Sequence, residues 1–200
     1  MNEDDVASTL SAYEADVDAY VEKYRSMSVL EAHGEPFLEA IDDESEDGSG
    51  CRILDVGCGP GSDLEALSAR GYEVIGLDFT ASFLRAAAEH VPVANLVRGD
   101  MRELPLADDA IHGVWASASF LHVPRADASR TLSEFRRVLR PDGVLYLSVK
   151  RARFAARDDS ERAFEPYDPD AIRTLLETAG LDVQVVHASD GWVAALATAN

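Results

Sequence analysis

Cysteine is scarce in this sequence: Cys51 and Cys58 are the only two among 200 residues. Two thiols build neither a disulfide framework nor a metal-ligand cluster, and the reading places the pair close together at one strand end. The expected compartment is the reducing cytoplasm. Long apolar runs are also missing. Nothing approaches the roughly 18 residues of a membrane-crossing helix, so no membrane insertion is expected. The opening Met1-Asn2-Glu3-Asp4-Asp5 lacks the basic and apolar segments of a signal peptide. Positive charge is in short supply, with 18 Lys and Arg against 37 Asp and Glu, a net charge of −19. Lysine is represented by Lys23 and Lys150 alone. Nonspecific nucleic-acid binding needs a basic face, so nucleic acid is not an expected partner. The acidity has two readings, an ordinary solvated surface or an adaptation to molar salt, where the Debye length falls to about 3 Å and self-repulsion is screened.

What is present fits one globular domain, with 46% hydrophobic residues and enough length to bury a sizeable core. Val6, Leu10, Tyr13, Val17, Tyr20, Val21 and Tyr24 fall on one side of a helix over residues 5–24. A second helix is expected from near Ser28 through Leu30, Phe37, Leu38 and Ile41, then an acidic loop from Asp42 to Gly50. Strands and helices then alternate. Strands are expected at 52–56, 73–77, 94–97, 110–116 and 144–149, with helices at 62–70, 81–89 and 125–140, the last stopped by Pro141. A helix opening at Asp168-Pro169 and ending at Gly180 follows. Two final strands, 181–187 and 192–198, join around Asp190-Gly191. The pattern predicts a Rossmann-like α/β fold: a doubly wound, mostly parallel sheet with helices on both faces and an antiparallel closing strand.

The chemistry concentrates in Ile53-Leu54-Asp55-Val56-Gly57-Cys58-Gly59-Pro60-Gly61. Glycines after a strand allow a tight turn and close approach of a ligand. The next helix offers free N–H groups at its start. A dinucleotide loop would want Gly-x-Gly-x-x-Gly. Gly57 and Gly59 fit, but Ser62 holds the third position and the extra glycine is Gly61. Asp55 adds a carboxylate that would repel a pyrophosphate and favour an amino-acid ammonium.

This segment resembles motif I of the class I S-adenosylmethionine-dependent methyltransferases. The resemblance extends to Gly76-Leu77-Asp78-Phe79, Gly99-Asp100-Met101, Leu104 to Ala110 and Leu139 to Leu145, in order, over roughly residues 51–150. The tail from Tyr167 to Gly180 is similar to the end of the same family. It implies S-adenosylmethionine as cofactor, an N-terminal cap at 1–48, a cofactor-binding core at 51–150 and a C-terminal helix and hairpin at 151–200. It also implies cofactor contacts from Asp55, Gly57, Cys58, Gly59 and Gly61. Asp78 would bind the ribose hydroxyls or, alternatively, cap a helix. Phe79 would lie against the adenine or in the core. Asp100 would accept from the adenine amino group with Met101 packing the ring, the alternative being a turn-forming aspartate. Ala116 and Ser117 would line the methionine end, and Ser119 the substrate pocket, whereas Leu64 reads as core.

Candidate catalytic residues are His122, as a general base, and Tyr13 and Tyr24 of the N-terminal stripe, whose alternative is core packing. Arg153, Arg162 and Tyr167 are candidate substrate-pocket residues; a salt-bridged surface with Asp158, Asp159, Glu161 and Glu165 is the bland reading. The Asn/Asp-Pro-Pro-Tyr/Phe motif of amino-methylating nucleic-acid enzymes and the cysteine motif of cytosine-C5 enzymes are both missing, which favours a small-molecule acceptor. A non-catalytic cofactor-binding module and a nicotinamide-dependent oxidoreductase are the alternatives. No metal is expected, and the oligomeric state stays open.

Overall fold

A computed structural model describes residues 1–43, 50–152, 162–189 and 191–200. Four helices come first: α1 (Glu3–Ala15), α2 (Val17–Tyr24), α3 (Val29–His33) and α4 (Glu35–Asp43). Then β1 (Arg52–Val56), α5 (Ser62–Ser68), β2 (Glu73–Asp78), α6 (Ala81–His90), β3 (Asn95–Arg98) and β4 (Ile111–Ala116) alternate. The chain closes with α7 (Ala128–Val138), β5 (Leu139–Lys150), α8 (Pro169–Thr178), β6 (Leu181–Ala188) and β7 (Trp192–Ala199). The seven strands lie in the order β3-β2-β1-β4-β5-β7-β6. The first five are parallel, and β7 runs antiparallel to both β5 and β6. The fold is therefore the doubly wound α/β sheet the sequence predicts, with its antiparallel closure.

Buried strands carry apolar residues on both faces, as parallel sheets do. Ile53, Trp115, Tyr146 and Leu196 belong to the core under α3, α4 and α5. Leu54, Val114, Leu145 and Ala195 belong to the opposite core, under α7 and α8. After β1 the chain winds outward through β2 and β3, then returns to place β4 on the other side of β1. This reversal opens a crevice at the carboxyl ends of β1 and β4, where ligands of doubly wound sheets bind.

Several expectations need correction. The single helix over 5–24 is two, broken at Asp16 (φ −124°, ψ 25°). The helix begun at Ser28 is also two. It starts where expected, with the Ser28 hydroxyl capping it by accepting from the Glu31 N–H, but Gly34 ends α3. There a Cβ would lie 2.5 Å from the Leu30 carbonyl oxygen. α4 runs to Asp43, into the expected acidic loop, whose residues 44–49 lie outside the described residues. α7 ends at Val138, ahead of Pro141, because Leu139 already pairs with Ile111. Cys51 and Cys58 sit at opposite ends of β1, both free and buried, so they do not share one strand end. Asp190 of the expected hairpin turn lies outside the described residues. Among those described, no helix is long and apolar enough to cross a membrane.

Candidate active site

The glycine turn leaves β1 and wraps back onto β2. The N–H groups of Gly57 and Cys58 both donate to the Leu77 carbonyl, at 2.7 and 3.1 Å. Gly57 has φ 75°, and a Cβ there would sit 2.4 Å from Ser119 Cβ. Only glycine combines that conformation with so close a neighbour. Asp78, at the end of β2, accepts from the Gly59 N–H at 3.0 Å through Oδ2 and from the Thr80 N–H at 2.7 Å through Oδ1. A carboxylate has about four acceptor positions. Asp78 thus holds the turn in place and keeps capacity for further donors.

A cavity of about 240 Å³ lies over this turn. Asp55, Gly57, Cys58, Gly59, Asp78, Phe79, Asp100, Met101, Ser117 and Ser119 all reach its wall, as do Tyr13, Tyr24 and His122. The corrections are these. Ala116 is wholly buried in the core and off the wall. Gly61 also lies off it; its φ of 94° starts α5, and a Cβ there would lie 3.3 Å from Ala87 Cβ. Tyr167 belongs to the core rather than to a substrate pocket, its ring beside Phe120 and under the Arg125 guanidinium. Arg162 meets the site through Tyr13, its guanidinium 5.0 Å from the ring centre. Arg153 lies outside the described residues, with Asp158, Asp159 and Glu161. Leu64 is core, as read.

Among the described residues, two buried polar atoms in this wall lack a partner: Asp55 Oδ2 and Ser119 Oγ. Burial pushes the Asp55 carboxyl well above its ordinary range, and the charges of Asp63 and Asp78 push it further. Asp78 is also raised by burial, against the opposing pull of its N–H donors. A buried carboxyl group with a vacant acceptor is suited to an ammonium that arrives with a ligand. Asp55, the Asp78 carboxylate and the exposed Phe79 ring together fit an adenosyl amino acid. A pyrophosphate would bring more negative charge to two aspartates.

Asp100 already has a cation. Arg102 donates to it from Nε at 2.9 Å and from an Nη at 2.7 Å. Burial would raise the Asp100 carboxyl, but the Arg102 hydrogen bonds outweigh it and hold the group below the ordinary range. The same guanidinium reaches Glu3 of α1 and Asp127 before α7. Arg102 was missed in the sequence, although its place directly after the Gly99-Asp100-Met101 turn was a usable signal. Asp63 was missed too. It accepts from Ser28 Oγ, the Leu30 N–H and Trp115 Nε1 at 2.7–3.0 Å, tying α3 and β4 to the first turn of α5.

The N-terminal helices form the roof. Tyr20 lies against Gly59 and packs on Tyr24 and Phe83, while Tyr13 sets its ring edge-on to Tyr20. The Tyr13 hydroxyl lies 3.0 Å from His122 Nε2. His122 Nδ1 is 2.9 Å from the Ala163 carbonyl oxygen.

The family model for a methyltransferase domain matches residues 54–147, from β1 into β5. Methyltransferase GfsG of Streptomyces halstedii is 29% identical over 79% of this chain and 62% of its own length. A malonyl-[acyl-carrier protein] O-methyltransferase of Dechloromonas aromatica is 34% identical over 64% of this chain and 51% of its own. The chain spans 37–62% of the curated relatives it matches over the longest stretches. A structure of the Haloferax volcanii Trm112 methyltransferase activator in complex with a methyltransferase superposes with a TM-score of 0.72 at 19% identity, over 92% of this chain and 97% of that one. Sheet order, glycine turn and these matches lead to one conclusion: the chain carries a methyltransferase domain of the class I S-adenosylmethionine-dependent family.

Proposed function

We propose that this protein binds S-adenosylmethionine over the Gly57–Gly61 turn and transfers its methyl group to a small-molecule acceptor. One observation carries the reading: Asp55, buried with an open acceptor atom, stands beside the turn at the crevice between β1 and β4. It would take the ammonium of the cofactor. Asp78 would take the ribose hydroxyls and Phe79 and Met101 the adenine, with Asp100 at its edge. When bound, the cofactor supplies an activated methyl group, so the chain's own residues chiefly align the acceptor and exclude water. Alignment is worth up to about 7–11 kcal/mol, and no catalytic triad is needed. The tyrosine roof and the net charge of −19 support a small acceptor over nucleic acid. A reducing cytoplasm suits two free, buried thiols.

Fold alone does not distinguish an enzyme from a cofactor-binding module, so two measurements are needed. Calorimetry should show binding of S-adenosylhomocysteine, and no comparable binding of NAD. Asp78→Ala should weaken that binding at least about tenfold, since charged hydrogen bonds contribute about 1.5–3 kcal/mol. NAD binding as tight as the adenosyl ligand, or an unchanged Kd in a folded Asp78→Ala variant, would refute the site. Turnover of a metabolite panel with labelled cofactor then separates enzyme from module.

A further inference from the structure

One polar contact between the roof and the rest of the cavity pairs Tyr13 with His122. The Ala163 carbonyl can only accept, so His122 Nδ1 carries the proton facing it. In the neutral ring Nε2 is then an acceptor, and the Tyr13 hydroxyl donates to it. Tyr13 Oη also accepts a hydrogen bond from Arg162, which leaves one lone pair for a third group, and both side chains line the cavity. Rings surround this contact: Tyr13 stands edge-on to Phe83 and to the His122 ring, with Tyr20 and Tyr24 next along the roof. Among the described residues, the charged and titratable groups acting on Tyr13 include Arg162, over its ring and hydrogen-bonded to its hydroxyl, together with Asp78, Tyr20 and Tyr24. Burial, opposed by Arg162, raises the phenol above its ordinary range. Tyr13 thus stays protonated at neutral pH and passes a proton on more readily than it gives one up.

We infer that Tyr13 and His122 form a proton-accepting pair for an aryl hydroxyl acceptor, held among the roof rings. The inference rests on the methyltransferase reading of the same cavity. The acceptor's O–H bond breaks and its proton goes to Tyr13 Oη, while Tyr13's own proton moves to His122 Nε2. The acceptor oxygen forms the new bond to the methyl carbon, whose bond to sulfur breaks with its electron pair staying on sulfur. The positive charge leaves the sulfonium and reappears on the imidazolium, whose Nδ1–H stays on the Ala163 carbonyl. A tyrosinate is never formed. An aryl hydroxyl suits both halves of the site, because its ring packs edge-to-face with Tyr and Phe and its proton is within reach of a histidine's range.

The probe is 4-nitrophenol, whose anion absorbs in the visible. With S-adenosylhomocysteine bound, the anion band of the bound probe should appear at least about one pH unit below that of free probe, because the pair accepts its proton. Tyr13→Phe and His122→Gln should each abolish the shift while retaining S-adenosylhomocysteine affinity, which reports that they are folded. Exchanging the cofactor for S-adenosylmethionine should bleach the band as the methyl ether forms. Bound probe with no shift, or a shift that survives both variants, would overturn the pair. Failure of the probe to bind would overturn the aryl hydroxyl acceptor. The titration is repeated without cofactor, so a protein that bound no adenosyl ligand would defeat the methyltransferase reading while the shift itself was still measured.

Discussion

At the scale of single residues the site is built from groups the fold has to tolerate. Asp55 lies one residue from the carboxyl end of a buried strand, with one oxygen unpaired among the described residues. Its carboxyl is held well above the ordinary range, first by burial and then by Asp63 and Asp78. The folded protein therefore holds this proton more tightly than the unfolded chain does. Below about pH 4 both states are protonated and the site costs nothing. As pH rises from there to the raised folded value, stability falls by about 1.4 kcal/mol per unit. An amide has no such ionisation. Asp55→Asn should thus be more stable than the natural protein at about pH 8, by a margin that widens as pH rises, with little gain at about pH 4. The same variant should lose affinity for S-adenosylhomocysteine, because an amide attracts an ammonium less than a carboxylate does. Urea denaturation across that pH range, with calorimetry beside it, checks both halves. Parallel stability profiles for the two proteins would show that Asp55 ionises freely in the fold. Such a site exchanges stability for binding, as functional sites commonly do.

At the scale of elements, one guanidinium ties the roof to the floor. Arg102 joins Glu3 of α1 to Asp100 and Asp127, with its side chain 18% exposed. Replacing it with leucine leaves three carboxylates near one another without their cation. Arg102→Leu should cost about 2 kcal/mol. Amide exchange should accelerate in α1 before it does in the strands, because the helix loses its anchor while the sheet does not. Equal acceleration in α1 and β1 would mean that Arg102 supports the whole fold rather than the roof. The anchor also marks what the sequence concealed. Strands β1 to β7 were legible to within a residue or two, apart from the early start of β5, because buried apolar runs bounded by glycine and charge have few other solutions. The glycine turn and the Asp78 strand end were legible for the same reason, and the structure puts both on the cavity wall. The break at Asp16 was not, since the apolar stripe from Val6 to Tyr24 runs through it without glycine or proline. The break at Gly34 had its signal, with Pro36 just beyond. Pairing partners were the least legible. That Arg102 reaches Glu3, that Tyr13 finds His122 from 109 positions away, and that Tyr167 turns into the core are outcomes of packing between distant segments, which periodicity does not record.

At the scale of the whole molecule the governing quantity is charge. There are 18 basic residues against 37 acidic ones, so at least 19 carboxylates have no cation of their own. Several basic groups serve more than one acid: Arg102 contacts three, and Arg137 bridges Asp108 and Glu134. Folding brings the uncompensated charges closer than they are in the unfolded chain. At about 0.01 M salt the Debye length is about 30 Å, comparable to a small domain, and the carboxylates repel one another across the molecule. Near 1 M it is about 3 Å, and only contacting pairs still interact. Salt also weakens the ion pairs, but exposed ones contribute only about 0–1 kcal/mol each, and the enclosed Arg102 cluster is screened least. The repulsive sum outweighs the attractive one, because the excess is one-sided. The melting temperature should therefore rise steeply from low to molar KCl, with the steepest part at the low end, where the screening length crosses the size of the molecule. Trimethylamine N-oxide at matched concentrations separates this from strengthened burial, since it raises stability without screening charge. A melting temperature that is flat or falling in KCl, or one that rises equally in both solutes, would mean that the acidic surface is not a salt adaptation. Neither result would touch the methyltransferase domain, which rests on the glycine turn, the sheet order and the family match rather than on charge.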